Sequence, residues 1–405
     1  MIGNVPNGWR VEKLGNIGKV FTGSSAPQDN KYFDNGTYPF VRVSDLSKKK
    51  FDRNLHLIRD YINDICISDT TQTLAKQGTI LFAKSGMSVV NNHRAILEKD
   101  SYIVSHLCAI YIDSKTTREY IFYLLTKMDM VNYSENESYP SLKTSTIKQI
   151  AIPIPPLSQQ KKIVKVLNIS SQLIEKQKEL ITVYDLFLKS KFIEMFGDPY
   201  TNHMKWKIEK FESNIDYIGD IGSNGSNAVI SKNLKMLDTE DYALMVRTTN
   251  LNKDDFINNV KYVSKETYDF FKKSKIFGGE IIMNKIGSAG KFWLMPYLDR
   301  PVSLGLNQLV IRPKNLNTKF LYYLLSTDYG KIVIASETNG AVTQSITKGA
   351  IKDIDIMIPP IELQNKFASI VEKIETIKTK EAQKLEHLET LHKSLMDKAF
   401  KGEIA

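Results

Sequence analysis

Two short stretches of the sequence, half a chain apart, decide the fold: IPIPPLSQQKKIVKVL at residues 152–167 and IMIPPIELQNKFASIV at residues 356–371. In both, two prolines follow a short apolar run and precede a long helical pattern. A residue before proline is driven towards extended backbone, so strands are predicted to end at Ile154 and Ile358. Proline is tolerated only in the first turn of a helix, so a helix should begin at or just after each pair. Each stretch therefore predicts a rigid strand-to-helix joint.

The blocks around these joints repeat in the same order along the chain. The repeat offsets lie between 197 and 205 residues, which allows only small insertions and indicates a tandem duplication. A period of about 200 residues is too long for a solenoid, so each copy should be a domain in its own right. The aligned blocks are GWRVEKLGNIG (8–18) with KWKIEKFESNI (205–215), PFVRVSDLSK (39–48) with LMVRTTNLNK (244–253), GTILFAKSG (78–86) with GEIIMNKIG (279–287), and EYIFYLLT (119–126) with KFLYYLLS (319–326).

Each copy has a mixed first part and a helical second part. The first 140 to 150 residues combine short β-type runs, such as TILFAK (79–84) and EIIMNK (280–285), with turn residues and one helical segment, REYIFYLLTKM (118–128) or TKFLYYLLSTD (318–328). This pattern predicts α/β (α+β) globular domains duplicated in tandem, each followed by a long α-helix.

The helical parts are unusually long. No proline or glycine interrupts residues 158–196, and Gly197-Asp198-Pro199 then ends the pattern; Ser158 is the predicted N-cap. A helix of this length spans about 60 Å and cannot bury an apolar stripe alone. We expect the two helices to pair as an antiparallel coiled coil, although each could instead pack on its own domain. The predicted seam residues, which recur every seven positions, are Val166, Leu173, Leu180 and Phe187 in the first helix and Phe367, Ile374, Leu388 and Leu395 in the second.

Composition narrows the class of protein. Lys and Arg number 55 against 45 acidic residues, a net charge of +10 that favours a polyanionic partner. The two cysteines, Cys66 and Cys108, have no zinc-binding or disulfide spacing. The N-terminus lacks a signal-peptide pattern, and no run of about 18 apolar residues could span a membrane. A soluble, cytoplasmic protein without metal is expected.

No motif for catalysis is present. The sequence lacks a phosphate-binding loop, a dinucleotide-binding G-x-G-x-x-G, the N/D-P-P-[YF] of amino-methyltransferases, G-x-S-x-G and H-E-x-x-H. His93 is predicted to be a solvated loop residue, and His106, beside Leu107 and Cys108, a core residue. The chain is therefore predicted to have no catalytic residues.

Polar residues in the repeated blocks fit contacts with DNA. The segments 42–45 and 247–250 follow apolar runs, and Arg can bind guanine as Asn can bind adenine. Lysine beside glycine, at 84–86 and 285–288, lets backbone N–H groups approach a phosphate. Beyond these blocks the copies diverge, as two domains that recognise different sequences should. The predicted DNA-binding residues are Arg42, Ser44, Asp45, Lys84, Ser85, Asn91, Asn92, His93, Arg94, Lys143, Arg247, Thr248, Thr249, Asn250, Lys285, Ser288, Lys291, Thr343 and Gln344.

Together these features resemble the specificity (S) subunit of type I restriction–modification systems. The resemblance rests on the doubled layout, the VR…DL/NL block, the G-x-I-x-x-x-K-x-G block, AVTQSITKGAIKDIDIMIPPIELQ (341–364) and the long helices, and it covers nearly the whole chain. The joint in that family usually contains Pro-Pro-Leu-x-Glu-Gln. Here Gln159 and Leu363 replace the Glu, whereas Gln160 and Gln364 are retained.

The resemblance implies a DNA-binding subunit of a bacterial defence complex, without its own catalysis or cofactor. It implies a target recognition domain at 1–152, a central conserved helical region at 153–199, a second target recognition domain at 200–356 and a distal conserved helical region at 357–405. The helices would set the spacer in a bipartite site on double-stranded DNA and dock two modification (methyltransferase) subunits, which use S-adenosylmethionine to methylate adenine. Restriction (translocase–endonuclease) subunits, which use ATP and Mg, would join them. The residues implied for the joint and for docking are Pro155, Pro156, Gln160, Pro359, Pro360 and Gln364.

Two other functions stay open on sequence alone. A coiled-coil scaffold whose globular ends bind proteins would have the same helices, and a self-sufficient DNA-modifying enzyme could assemble its catalytic groups from distant loops. The scaffold should show no sequence-specific binding to DNA, and the enzyme should transfer a methyl group without a partner.

Overall fold

The computed structural model describes residues 5–46, 54, 55, 57–134, 136, 139–340 and 344–404. The chain forms two compact units: unit 1 combines Met1–Ile181 with Lys380–Ala405, and unit 2 is Thr182–Thr379. The predicted segments end at the strand-to-helix joints, whereas these units divide the chain within its two longest helices. No helix of the described residues is long and apolar enough to cross a membrane.

The described residues of unit 1 form two larger sheets and a strand pair. The sheet orders are β2-β10-β7-β8-β4, β5-β3-β9-β6 and β1-β11. The strands are β1 (Arg10–Lys13), β2 (Lys19–Thr22), β3 (Tyr38–Val41), β4 (Asn54–Leu55), β5 (Asp60–Ile62), β6 (Leu74–Ala75), β7 (Ile80–Ala83), β8 (Arg94–Leu97), β9 (Ser101–Ile103), β10 (Leu107–Tyr111) and β11 (Ala151–Ile154). The helices are α1 (Leu14–Ile17), α2 (Asp64–Asp69), α3 (Lys115–Lys127), α4 (Thr144–Gln149) and the first part of α5 (Leu157–Phe196).

Unit 2 has the corresponding sheet orders β13-β21-β17-β19, β15-β14-β20-β16 and β12-β23, with a further pair β18-β22. Its strands are β12 (Lys207–Lys210), β13 (Ile215–Asp220), β14 (Ala243–Val246), β15 (Lys261–Val263), β16 (Lys275–Ile276), β17 (Ile281–Asn284), β18 (Ile286–Gly287), β19 (Phe292–Leu294), β20 (Val302–Leu304), β21 (Gln308–Pro313), β22 (Gln344–Ser345) and β23 (Asp355–Ile358). Its helices are α6 (Asn227–Asn233), α7 (Thr248–Lys253), α8 (Lys265–Phe270), α9 (Thr318–Ser326), α10 (Asp328–Ser336), α11 (Lys348–Lys352) and part of α12 (Ile361–Phe400).

The central strands β7 and β17 are buried on both faces, which explains their continuous apolar sequences. Phe82 in β7 belongs to a core that includes Tyr120 of α3, whereas Leu81 packs in a second core with Phe40 of β3. In β17, all four residues are buried in the same way. Both central strands, and the helices α3 and α9, coincide with segments predicted from the sequence.

Both joints form where they were predicted. The group that caps the helix, however, is not the one predicted. Strand β11 ends at Ile154 and α5 begins at Leu157, so Ser158 lies inside the helix, and its predicted N-cap role is wrong. The first turn is closed by a glutamine instead: Gln160 Nε2 donates to the Pro155 carbonyl at 2.9 Å. In the second joint, Gln364 Nε2 donates to the Pro359 carbonyl at 2.8 Å.

The seam predicted for α5 is wrong for three of its four residues, which face solvent, whereas Val166 is half-buried. Leu173 is 46% exposed, Leu180 37% and Phe187 44%. The buried stripe consists of Ile163, Leu167 and Ile174 in unit 1 and of Leu188, Phe192 and Phe196 in unit 2. Helix α5 carries two apolar stripes, and a period of seven residues cannot decide which one packs. Of the residues predicted for the α12 seam, Phe367 is buried, and Ile374, Leu388 and Leu395 are partly buried.

Residues of α5 and α12 contact each other within each unit. In unit 1, Ser170 Oγ and His392 Nδ1 lie 2.7 Å apart, and Gln177 Nε2 donates to Glu381 Oε2 at 2.7 Å. In unit 2, the rings of Phe192 and Phe367 pack edge to face with centroids 5.5 Å apart. Polar and aromatic contacts therefore hold parts of the two helices together in both units.

Candidate nucleic-acid interface

The segment after β3 folds into a capped turn rich in arginine. The Arg42 backbone N–H donates to Asp45 Oδ2 at 2.8 Å, which closes the turn Val43–Asp45. Asp45 Oδ1 accepts from Arg59 Nε at 2.9 Å, and the Arg42 guanidinium pairs with Asp60. The Asp45 carboxylate thus binds both the Arg42 backbone and the Arg59 side chain. Ser44, between Arg42 and Asp45 in the turn, is exposed. An open cavity of about 600 Å³ adjoins the turn and is lined by Asn30, Phe33, Asp34, Arg42, Arg59, Asp60 and Tyr61.

The equivalent segment after β14 makes the same capping contact in unit 2, at the start of α7. The Arg247 backbone N–H donates to Asn250 Oδ1 at 3.2 Å, and Asn250 is buried. Thr248 Oγ1 donates to Asn284 Oδ1 at 2.7 Å, whereas Thr249 is exposed. Asp45 and Asn250 therefore act as caps, whereas Ser44 and Thr249 are exposed to solvent.

At the end of β7, the predicted lysine lies in a well-defined backbone setting. The Lys84 N–H donates to the His106 carbonyl at 2.9 Å, and the Lys84 carbonyl accepts from the Leu142 N–H at 2.7 Å. Ser85 Oγ and His106 Nδ1 lie 2.7 Å apart. His106 is exposed, so its prediction as a core residue is wrong. The strand end thus brings Lys84, Ser85 and His106 together at the surface of unit 1.

The end of β17 repeats this backbone pattern with different side chains. The Lys285 N–H donates to the Asn307 carbonyl at 2.8 Å, and the Lys285 carbonyl accepts from the Ile346 N–H at 2.9 Å. Lys285 Nζ donates to Asp220 Oδ2 at 2.5 Å, and Lys348 Nζ donates to Asp220 Oδ1 at 3.1 Å. Burial raises the pKa of Asp220, but hydrogen bonds from Lys285, Ser223 and Lys348 outweigh it and lower that pKa to about 2. Asp220 is thus ionised and bound to two lysines.

The loop before β8 divides its predicted residues between surface and interior. Asn91 is exposed, whereas Asn92 has a left-handed backbone (φ 53°) and donates through its amide to the Met128 carbonyl at 3.0 Å. Arg94 is only 5% exposed and lies 4.8 Å from the Phe82 ring centroid, where burial lowers its pKa to about 10. Arg94 Nη1 donates to the half-buried His93 carbonyl at 2.9 Å. Asn92 and Arg94 therefore shape the loop, and Asn91 is its exposed amide.

The remaining predicted residues lie on surface loops or outside the described residues. Lys143 is the exposed N-cap of α4 in unit 1. In unit 2, Ser288 is exposed, and the exposed Lys291 donates through Nζ to Asn252 Oδ1 at 2.5 Å. Gln344 is exposed in β22, where it pairs with Gly287 of β18. Thr343 lies outside the described residues.

The joint residues predicted for docking are largely interior. Gln160 and Gln364 are 4% and 0% exposed, and Pro155 and Pro359 are also buried, whereas Pro156 and Pro360 are exposed. The buried glutamine amides shape the joint and present no surface to a partner.

Sequence reasoning missed several polar residues of these sites. Asp220, Lys348, Arg59 and Asn284 all contact predicted residues, but they lie far from them in sequence. The alignment of the copies could have revealed Lys348, because the SITKGA segment carrying it occupies the place of SLKTST. Among the described residues, no group of three or more His, Cys, Asp or Glu could hold a metal ion.

Comparison with known proteins places these features in one family. The model of the type I restriction modification DNA specificity domain matches the chain twice, at residues 6–183 and 212–390. The two matches together span most of the 405 residues.

Individual relatives agree with the family model. The chain is 24% identical to the type I restriction enzyme MjaIX specificity subunit of Methanocaldococcus jannaschii, covering 100% of this chain and 95% of that one. It shares its fold with a chain of a type I restriction–modification system solved for complex assembly and conformational transition (TM-score 0.54, 16% identity, 99% of both chains). It also shares its fold with the S subunit from M. genitalium (TM-score 0.52, 14% identity, 98% of this chain and 96% of that one).

Proposed function

Because this chain belongs to the type I restriction–modification DNA specificity family, we propose that its two globular parts each recognise one half of a bipartite DNA site. The chain is a specificity subunit, and its relatives are likewise specificity subunits, not catalytic ones. Residues 1–152 and 200–356 would be the two recognition domains. Residues 153–199 and 357–405 would be the helical regions that connect them.

One observation carries the proposal: the strand ends match in backbone geometry and differ in side chains. Lys84 and Lys285 make equivalent backbone hydrogen bonds, to His106 and Leu142 in one case and to Asn307 and Ile346 in the other. The exposed polar groups of the two units differ, because unit 1 exposes Asn91 and His106, whereas unit 2 exposes Ser288 and Gln344. Base edges are distinguished by their hydrogen-bond donors and acceptors, so a shared scaffold with different polar groups suits two different half-sites.

An antiparallel pairing of α5 and α12 would set the distance between the half-sites. The contacts within unit 1 support this direction. Ser170 of α5 contacts His392 of α12, and Gln177, further along α5, contacts Glu381, which lies before His392 in α12. A helix of 40 residues is about 60 Å long. Such a spacer is long enough to hold two domains over half-sites about one duplex turn, roughly 34 Å, apart.

We assign the docking of the modification subunits to the exposed apolar stripe of α5. In unit 1 it comprises Leu173 and Leu180, and in unit 2 Val183 and Phe187, each at least one-third exposed. Apolar side chains exposed at this spacing are typical of a surface that a partner covers. S-adenosylmethionine would then bind to the modification subunits, and ATP and Mg to the restriction subunits.

Reconstitution with labelled S-adenosylmethionine tests the division of labour. The purified chain with DNA should transfer no methyl group, and the modification subunits alone should transfer little. The two together should methylate adenine at one bipartite motif. Methyl transfer by the chain alone would favour a self-sufficient enzyme, and no sequence-selective DNA binding by the complex would favour a protein-binding scaffold.

A further inference from the structure

The two units carry different residues at one equivalent position of their main sheets. In unit 1, Thr22 of β2 lies opposite Cys108, which lies opposite Phe82 of β7. In unit 2, Asp220 of β13 lies opposite Leu309, which lies opposite Met283 of β17. The lysine follows two residues after Phe82 and two residues after Met283. Thr22 and Asp220 therefore occupy the same place relative to Lys84 and Lys285.

In unit 2 the carboxylate at this position forms an ion pair with the lysine. The Asp220 side chain is 8% exposed and the Lys285 side chain 22% exposed, so their ion pair is largely shielded from water. Lys348 adds a second cation to Asp220 and also donates to Ser223 Oγ at 2.9 Å. An ion pair of this kind is expensive to break, because separating it would leave a buried charge. We therefore expect Lys285 to stay paired with Asp220.

In unit 1 the same position carries no charge. The Thr22 hydroxyl donates to the Gly23 carbonyl at 3.1 Å and lies 3.3 Å from the Ser105 carbonyl. Among the residues that the structure describes, no carboxylate lies within 4.0 Å of Lys84 Nζ. Lys84 is half-buried and lies two residues after Phe82, on the same face of β7, and the buried Arg94 guanidinium lies 4.8 Å from the Phe82 ring centroid. Lys84 thus has no carboxylate beside it among the described residues, whereas Lys285 is paired with Asp220.

From this difference we infer that Lys84 contacts a DNA phosphate whereas Lys285 does not, and that Lys285 serves as an internal support for the segment around Lys348. A half-buried ammonium without a counter-charge gains more from a phosphate than one that already has a carboxylate. The sequence predicts that both lysines contact DNA. Their different surroundings in the structure distinguish one from the other. The inference rests on the proposed function, since it assigns the contacts within the same interface.

The salt dependence of DNA binding tests the inference in the complex of the chain with its modification subunits. The probe is a duplex of about 30 base pairs carrying the motif that this complex methylates. Losing one phosphate contact should lower the slope of log Kd against log[NaCl] by about 0.9. We expect that loss for Lys84→Gln and for Thr22→Asp, which installs the missing carboxylate. Lys285→Gln, the matched control, should keep the wild-type slope and lower the melting temperature.

Three outcomes would overturn the inference: an unchanged slope for Lys84→Gln, an unchanged slope for Thr22→Asp, or an equal loss for Lys285→Gln. If Lys285→Gln fails to fold, Asp220→Asn decides instead. It removes the internal counter-charge and should make the slope steeper, and an unchanged slope would contradict the inference. A different result would refute the proposed function itself: DNA binding by the wild-type complex with no preference for the motif that it methylates.

Discussion

Gln160 and Gln364 illustrate how one side chain determines the geometry of each joint. A proline pair leaves carbonyl groups at the start of the helix, and each glutamine binds the carbonyl five residues earlier. Gln364 also accepts from the Asn317 backbone N–H at 2.9 Å, which ties the joint to the N-terminus of α9. Gln160 Oε1 has no hydrogen-bond partner in the described residues. The second glutamine therefore makes one more contact than the first.

We predict that Gln364→Ala lowers the free energy of unfolding by about 1–3 kcal/mol, because it leaves the buried Pro359 carbonyl and the half-buried Asn317 N–H without partners. Gln160→Ala should cost less, because only the Pro155 carbonyl loses its partner. Gln172 is an exposed glutamine of α5 and serves as the control. Gln172→Ala should change the free energy of unfolding by less than about 0.5 kcal/mol. Urea unfolding of the three variants measures the order, and equal losses for all three would contradict it.

His392 is a buried histidine of unit 1 whose protonation opposes folding. Burial lowers its pKa from 6.5 to about 4, so the folded state keeps it neutral where the unfolded state binds a proton. Stability should therefore fall as the pH is lowered from about 6.5 to 4, by up to about 3 kcal/mol. Unfolding measured across this range should show the slope in the wild type. His392→Gln should reduce it, and an unchanged slope in that variant would be inconsistent with this account.

Helix α5 shows what the sequence could and could not predict about an element. The proline pair and the absence of breakers predicted its start and its end at Phe196 almost to the residue. The prediction of its packed face was wrong, because Leu173 and Leu180 are as apolar as Ile174 and Leu188. Local pattern determines that a helix forms, but the choice between two apolar stripes depends on distant residues such as Phe320 and Phe367.

Adjacent residues on the two stripes of α5 give a matched test at the element scale. Leu188→Ala removes a fully buried side chain of unit 2 and should lower the free energy of unfolding by about 2–5 kcal/mol. Phe187→Ala truncates a side chain that is 44% exposed and should change stability much less. It should instead weaken binding of the modification subunits, measured by sedimentation of the mixed complex. Wild-type binding by Phe187→Ala would remove this residue from the docking surface.

At the scale of the whole molecule, the repeat in the sequence predicted two similar globular parts, and the two units have corresponding sheet orders. It could not predict the side-chain partners, because Asp220 with Lys285, or Arg42 with Asp60, meet only after the strands pair. Nor did it separate surface from interior in the loops, where Arg94 is buried and Asn91 is exposed. The predicted DNA-binding residues therefore include both exposed groups and groups that support them.

The central claim is that each globular part recognises one half-site, and exchanging one part measures this directly. Residues 1–152 would be replaced by the aligned residues of another specificity subunit, and the hybrid expressed with the modification subunits. Sequencing of methylated bases across the genome then reports both half-sites and the spacer. We predict that one half of the methylated motif changes while the other half and the spacer length are retained. A motif that changes in both halves, or in neither, would contradict the account.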